Sequence, residues 1–395
     1  MKIVQLDIQG FRSLKNVSWR PGDLNLVIGP NGSGKSNLLR MLELISAAAQ
    51  GDLDKTIFND GGISPLLWDG LVSKIRWSLT IAGTGVGGAG GGFVYEVELE
   101  APPDHTSYRV SQERFEDTSD GFKFIERDIF RYRVSGRSPN PPDEVISNDF
   151  NDRETLFSSF SGGLQLQPWM VITGLPFYRR QVADWTAFQD IRTDQNAPIR
   201  QAPVSRLEQQ VSPDGQNLIN VLHTLYTSDR KFKQDINDAM HAAFGDDFDE
   251  LIFPPAADQR IQMRVRWKTL RREQSTADLS DGTLRFLFLM TVLASPNPPP
   301  LIAIDEPETG LHPSMLPIIA EFAVEAATRT QVIFTTHSDQ FLDAFRGTRP
   351  TTTVAKWADG ETTMTTLDDG ELEYWLKDYS LGKLFRSGEL ENMAA

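Results

Sequence analysis

Gly29-Pro30-Asn31-Gly32-Ser33-Gly34-Lys35-Ser36 has the spacing G-x-x-x-x-G-K-[ST]. Glycines at those places let the backbone curl until several N–H groups point into one concavity, where phosphate can sit. A helix that follows directs its positive end at the same point. Lys35 can then reach β- and γ-phosphates, and the Ser36 hydroxyl can ligate Mg²⁺. Gly29, Asn31, Gly32, Ser33, Gly34, Lys35, Ser36 and Asn37 are therefore the expected nucleotide-binding residues, with ATP and Mg²⁺ as the cofactors. The alternative is a glycine-rich strand-to-helix turn with no ligand.

Three further groups could act on such a nucleotide. Leu301-Ile302-Ala303-Ile304 reads as a buried strand that ends in Asp305-Glu306, which puts both acids at the carboxyl edge of a sheet. Asp305 would hold Mg²⁺, and Glu306 would orient or deprotonate the attacking water. Thr335-Thr336-His337-Ser338 ends the next strand, so His337 can sense a γ-phosphate and orient the water. Leu279-Ser280-Asp281-Gly282-Thr283 opens a helix, and by itself Ser280 is an N-cap. Glu306, His337 and Lys35 are the expected catalytic residues. Alone, a strand before two acids, a capping serine and a single histidine are ordinary structural features; it is the phosphate loop upstream that gives them chemical meaning.

The elements that must position these groups follow from periodicity. Leu24 to Ile28 reads as a short buried strand, and Leu38, Met41, Leu42 and Ile45 share one face of a helix that starts near Asn37. Residues 71–82 and 93–100 read as strands joined by the glycine run 83–92, which lacks a Lys-Ser pair and is a hairpin linker rather than a second phosphate loop. Residues 139–142 break the chain with prolines. Helices are expected near 204–210, 215–227 and 229–244, then a strand from Arg260 to Lys268, a helix from Ser280 to Ala294, a helix over 313–328 and a strand from Gln331 to Thr335. Beyond these, Asp339 to Phe345 reads as a helix, Thr351 to Trp357 and Glu361 to Leu367 as a hairpin, and Leu372 to Phe385 as one helix. Strand and helix alternate, which predicts an α/β fold with a mixed central sheet.

The chain has 395 residues, a net charge of −15 and no cysteine. Disulfides and thiolate metal sites are excluded, as is a protein whose whole surface binds nucleic acid; a local basic groove stays open. No apolar stretch is long enough to span a bilayer, and Met1 to Ile8 lacks the pattern of a secretory signal. These features predict a cytoplasmic protein without membrane partners. The five histidines lack metal-ligand spacing, so no zinc site is expected.

The ordered set Gly29–Ser36, Leu279–Thr283, Ile304–Glu306 and His337 resembles the RecF-like and SMC-like branch of the ABC ATPases. Phe11-Arg12-Ser13-Leu14 and Asp305-Glu306-Pro307-Glu308-Thr309-Gly310-Leu311-His312-Pro313 are similar to the AAA-type ATPases of prokaryotes grouped with RecF. The resemblance covers both ends of the chain. It implies a P-loop NTPase fold of ABC/RecF type, with residues 1–130 and 259–395 as two parts of one ATPase head and 131–258 as an inserted, α-rich segment. It further implies a homodimer closed by ATP, in which Ser280 and Gly282 bind the γ-phosphate held by the other subunit. Arg12 would lie near the nucleotide, and Glu308 to His312 would cross the dimer interface. Gln165 and Gln167 are the candidates for the family's Q-loop glutamine. Asp281 stands where the commoner signature has glycine.

The implied role is an ATP-dependent dimerising switch in DNA maintenance or in defence against foreign DNA. The alternative is a regulatory ATPase that partners a separate effector, a nuclease or toxin. A transporter subunit fits less well, because the signature begins far downstream of Ser36 and residues 305–313 read unlike the transporter form. Two basic stretches could contact DNA or form ion-paired edges: Arg260, Arg264, Arg266, Lys268, Arg271 and Arg272, and Arg127, Arg131, Arg133 and Arg137. Asp368 and Asp369 read as turn formers rather than metal ligands of a nuclease.

Overall fold

The computed structural model describes residues 2–70, 72–82, 92–104, 106–135, 151–161 and 175–394. Gln165, Gln167, Arg137, most of the glycine linker and residues 139–142 lie outside them. The chain divides into two compact units. One comprises Met1–Gly22, Val27–Trp185 and Thr351–Thr366, the other Asp23–Leu26, Thr186–Pro350 and Leu367–Ala395.

In the first unit, β1 (Lys2–Phe11), β2 (Leu14–Trp19), β4 (Lys74–Ala82), β5 (Gly92–Glu100), β6 (Arg109–Asp117), β7 (Lys123–Arg127) and β8 (Tyr132–Val134) form an antiparallel sheet in the order β2-β1-β4-β5-β6-β7-β8. Alternation of apolar residues sets its register: Leu6 pairs with Leu79, Ile8 with Trp77 and Tyr95 with Phe115. One face buries Phe93, Phe115, Phe157 and Tyr178, with ring centroids 4.1 Å apart for Phe93–Tyr178 and 5.0 Å for Phe115–Phe157. Three helices belong to this unit: α1 (Lys35–Gln50), α2 (Leu53–Asn59) and α3 (Leu175–Ala183). Helix α1 is tied to the end of α3 by Ser46 Oγ, which donates to Ala183 O at 2.9 Å. The hairpin β17 (Thr351–Ala358) to β18 (Glu361–Thr366) returns to this unit, with Asp359 and Gly360 at φ 52° and 82° in its two-residue turn. Strand β3 (Leu24–Ile28) is buried throughout; it begins in the second unit and ends in the first.

In the second unit, β15 (Leu301–Asp305) lies parallel between β9 (Thr186–Phe188) and β16 (Gln331–Thr336), with Asp305 opposite Thr335. The start of β3 extends this sheet, since Val332 N donates to Asp23 O at 2.9 Å and Asn25 Nδ2 donates to Val332 O at 3.0 Å. Helices α4 (Leu218–Ser228), α5 (Arg230–Phe244), α6 (Asp281–Leu293) and α7 (Leu316–Ala327) belong here. Helix α6 is buried from Thr283 to Leu293 except at Arg285. Burial of Phe286 and Phe288 contributes about 1.5–3 kcal/mol each as an upper bound, so the helix gives its first turn a stiff base. Strands β10 (Phe248–Ile252), β13 (Arg264–Trp267) and β14 (Gln274–Ser275) form a small sheet, and β11 (Pro255–Ala256) pairs with β12 (Arg260–Ile261). Helices α8 (Asp339–Asp343), α9 (Asp369–Leu376), α10 (Leu381–Arg386) and α11 (Glu389–Met393) complete it.

Three expectations need correction. Residues 204–210 are not a helix. They run along α4, and its side chains replace the helical hydrogen bonds: Arg206 N donates to Asn220 Oδ1 at 3.4 Å and Glu208 N to Thr224 Oγ1 at 3.3 Å. The expected helix from Leu372 to Phe385 is broken, because Ser380 caps a new helix at Leu381. The strand from Arg260 to Lys268 is two strands in different sheets, so Arg264 and Arg266 share a face but Arg260 does not join them.

Candidate functional site

The phosphate loop is built as a turn that only small residues permit. Gly34 has φ 94°, and a Cβ there would strike Thr362 Oγ1 and sit 2.7 Å from Ser13 Oγ. A Cβ on Gly29 would strike Ala355 O. The loop closes through Ser33 N to Pro30 O at 3.2 Å, and Asn37 N to Gly34 O at 3.0 Å starts α1. Lys35 is 4% exposed, and its Nζ bridges Gly29 O at 2.8 Å and Pro30 O at 3.0 Å across the mouth of the loop. Ser33 Oγ is buried with no hydrogen-bond partner. A buried hydroxyl without a partner is costly, and here it sits in a concavity with a cation and a helix N-terminus. That cradle fits a nucleotide phosphate. Asn31, Gly32 and Ser36 lie exposed on the same loop.

Asn37 faces the other way. Its Nδ2 donates to Ser13 Oγ at 2.7 Å, and Thr362 Oγ1 donates to the same oxygen at 2.7 Å. Ser13 and Arg12 then line a cavity of about 450 Å³ whose other walls include Trp68, Asp69, Trp357 and Asp359. Arg12, Asp69 and Asp359 all have left-handed backbone, at φ 47°, 48° and 52°. Arg12 Nη2 lies 3.9 Å from Asp60, its Nε is buried without a partner, and burial lowers its pKa. Asp60 is held by Arg40 of α1. The structure thus joins Arg12 to the loop's own helix and opens it on a cavity, whose tryptophans the sequence did not single out.

In the second unit, Asp305 and Glu306 end β15 as expected. Thr335 Oγ1 donates to Asp305 Oδ1. Glu306 has φ 45°, with its N–H donating to Thr335 O at 3.0 Å. A glutamate in that region costs about 1–3 kcal/mol, and the turn aims its carboxylate at His337, whose Nδ1 lies 2.9 Å from Glu306 Oε1. The two side chains are 34% and 41% exposed, open enough to meet a water. Glu308 lies behind them: Thr336 Oγ1 donates to its Oε1 at 2.6 Å, its Oε2 is buried without a partner, and burial raises its pKa. The threonines that hook Asp305 and Glu308 were legible only as strand residues.

Ser280 caps α6, with its Oγ accepting from Thr283 N at 3.1 Å. Gly282 is required because a Cβ there would lie 2.7 Å from Gly310 O, so the loop after the two acids packs on the first turn of α6. Several of the basic residues are partnered. Arg266 meets Glu250 at 2.5 Å and Glu273 at 3.0 Å, Arg264 meets Glu273 at 3.4 Å, Arg127 faces Glu113 at 3.8 Å, and Arg131 meets Asp128 at 3.3 Å.

A phosphate loop in one unit, and a strand-end acid pair with a serine-capped helix in the other, are the parts of a P-loop fold. Residues 24–343 match the family described as "AAA domain, putative AbiEii toxin, Type IV TA system", and the chain belongs to that family. Its fold is that of SMC heads. An SMC head bound to the C-winged helix domain of ScpA aligns over 94% of this chain and 100% of its own, with TM-score 0.58 and 13% identity. A SMC head with an extended coiled coil, bound to the C-terminal domain of ScpA derived from Pyrococcus furiosus, aligns over 95% and 98%, with TM-score 0.56 and 13% identity. The cytochrome c biogenesis ATP-binding export protein CcmA 2 of Cupriavidus metallidurans is 54% identical over 43 residues, 11% of this chain and 20% of that protein. The match thus spans about one-fifth of that relative. Among the described residues no helix is long and apolar enough to cross a membrane.

Proposed function

We propose that this chain binds ATP with Mg²⁺ and hydrolyses it, and that two copies close on the nucleotide as a switch. The observation that carries the reading is the cradle at Gly29–Ser36, with Lys35 across its mouth and the unpartnered Ser33 hydroxyl inside. Lys35 leaves the two carbonyls for the β- and γ-phosphates, the backbone N–H groups from Gly32 to Ser36 bind phosphate oxygens, and the base lies in the cavity beyond Ser13. Ser36 and Asp305 would hold Mg²⁺, which when bound offsets charge on the phosphates. Glu306 takes the proton of the attacking water while His337 fixes its carboxylate and senses the γ-phosphate. Ser280 and Gly282 serve the γ-phosphate of the other copy, and Glu308–His312 meets that copy. Residues 1–130 and 259–395 are read as the head and 131–258 as its insertion.

The partners of the switch are DNA, in maintenance or defence, or a separate effector. The toxin and type IV TA system in the family's description support the effector reading, and the ScpA domains bound to the matched SMC heads support a protein partner. The test is phosphate release and ATP affinity, measured with and without single-stranded, duplex and junction DNA. Lys35→Ala is expected to lose ATP binding. Glu306→Gln is expected to keep binding, stop turnover and accumulate as a dimer with ATP and Mg²⁺. Unchanged affinity in the first or normal turnover in the second would sink the reading.

A further inference from the structure

We infer that Arg200 is a positioning residue for the first turn of α6, the turn the proposed function sets against a γ-phosphate; the inference rests on that reading. Arg200 ends a short turn, Pro198–Arg200, and is 9% exposed. Its Nε donates to Thr193 O at 2.7 Å. Its Nη1 donates to Leu279 O at 2.7 Å and Thr276 O at 3.1 Å, and its Nη2 to Asp281 Oδ1 at 2.5 Å. The loop answers through Thr276 Oγ1, which donates to Arg200 O at 2.9 Å. One guanidinium therefore holds the carbonyls just before Ser280 and the carboxylate just after it. Only a planar fork with several donors can do this; a lysine ammonium is a single point.

The arrangement resolves an electrostatic conflict. A carboxylate in the first turn stabilises an empty helix N-terminus, but it repels a phosphate brought to the same turn. The Asp281 side chain is 63% exposed, so burial does not remove its charge. Arg200 offsets it and draws the carboxylate onto the loop side. Asp281, standing where the commoner signature has glycine, is thus one half of a pair with Arg200, and Ser280 is fixed before any phosphate arrives.

The test is a double-mutant cycle on the full chain, read as kcat, KM and ATP affinity. Arg200→Met is expected to lower kcat at least tenfold and to change ATP affinity less than twofold, because the phosphate loop is untouched. Arg200→Lys, which keeps the charge and is the milder change, is expected to lower kcat in the same direction. Asp281→Asn added to Arg200→Met is expected to restore at least threefold, since it removes the uncompensated carboxylate. A merely structural arginine gives no such rescue. Arg200→Lys at the normal rate, or a double variant no faster than its parent, overturns the inference. Ser280→Arg in the same assay separates the two failures. If it turns over normally, the γ-phosphate reading itself falls; if it is inactive while Arg200→Lys is normal, only the role of Arg200 falls.

Discussion

Two glutamates, one in each unit, show how differently the same side chain can be surrounded. Glu113 of β6 is 2% exposed and saturated by fixed donors: Leu156 N at 2.7 Å, Phe157 N at 2.9 Å and Tyr95 Oη at 3.3 Å, with Arg127 at 3.8 Å. Burial raises the Glu113 pKa and lowers that of Arg127. Glu306 is a third exposed, sits in left-handed backbone and leans on a histidine that is itself exposed. The first has no capacity left for a substrate. The second carries local strain and leaves room for a water. The surroundings separate the two carboxylates: Glu113 is tied into the fold by its donors, and Glu306 stays open to solvent beside His337.

The contrast is broken most sharply by neutralising each side. Glu306→Gln is expected to lower turnover by about a thousandfold, about 4 kcal/mol in barrier, while the thermal midpoint stays within about 2 °C. A large loss of stability would make Glu306 a structural residue. Arg127→Met is expected to act in reverse. It leaves a buried carboxylate without its cation, which costs about 3 kcal/mol or more, read as a lower denaturant midpoint. Turnover per folded molecule should not change.

Glu308 lies between the two cases and sharpens the comparison through pH. Burial raises its pKa in the folded chain. Its contribution to stability is therefore fully present below the unfolded value and is lost as pH rises through the folded one. Glu308→Gln removes that loss. The stability of the variant relative to the native chain should rise as pH climbs from the ordinary glutamate value through the raised folded one, measured by denaturant titration at each pH. A flat difference would mean that the carboxyl is solvated.

Much of this was legible because it depends on short spacing. The phosphate loop, the acid pair after four apolar residues and the serine before α6 are local patterns with local causes. What was not legible depends on distant partners. Residues 204–210 have helical composition, yet Asn220 and Thr224 capture their backbone. Arg200 looks like any surface arginine until Thr193, Thr276, Leu279 and Asp281 converge on it. The left-handed backbone of Glu306 has no sequence sign, since such a conformation usually calls for glycine. Likewise, Arg260 to Lys268 reads as one strand, but Gln262 N turns aside to Pro254 O at 3.1 Å and splits it.

That split sets up the smallest expected effect. Arg264 and Arg266 are 38% and 43% exposed and meet Glu250 and Glu273. Hydrogen bonds from both arginines lower the Glu273 pKa, that from Arg266 first. Exposed pairs of this kind contribute little because solvent screens them, so the double variant Arg264→Ala with Arg266→Ala should remain folded with a small loss of stability. Its effect on DNA separates an ion-paired edge from a binding face. Two arginine–phosphate contacts would release counterions and supply about 1.8 of the slope of log affinity against log salt. Arginines engaged by Glu250 and Glu273 supply none of it. The expected result is an unchanged slope for duplex DNA, measured by fluorescence anisotropy between 50 and 300 mM salt. A slope reduced by about 1.8 would show that the arginines leave their glutamates for phosphate, and would move this small sheet from scaffold to nucleic-acid interface.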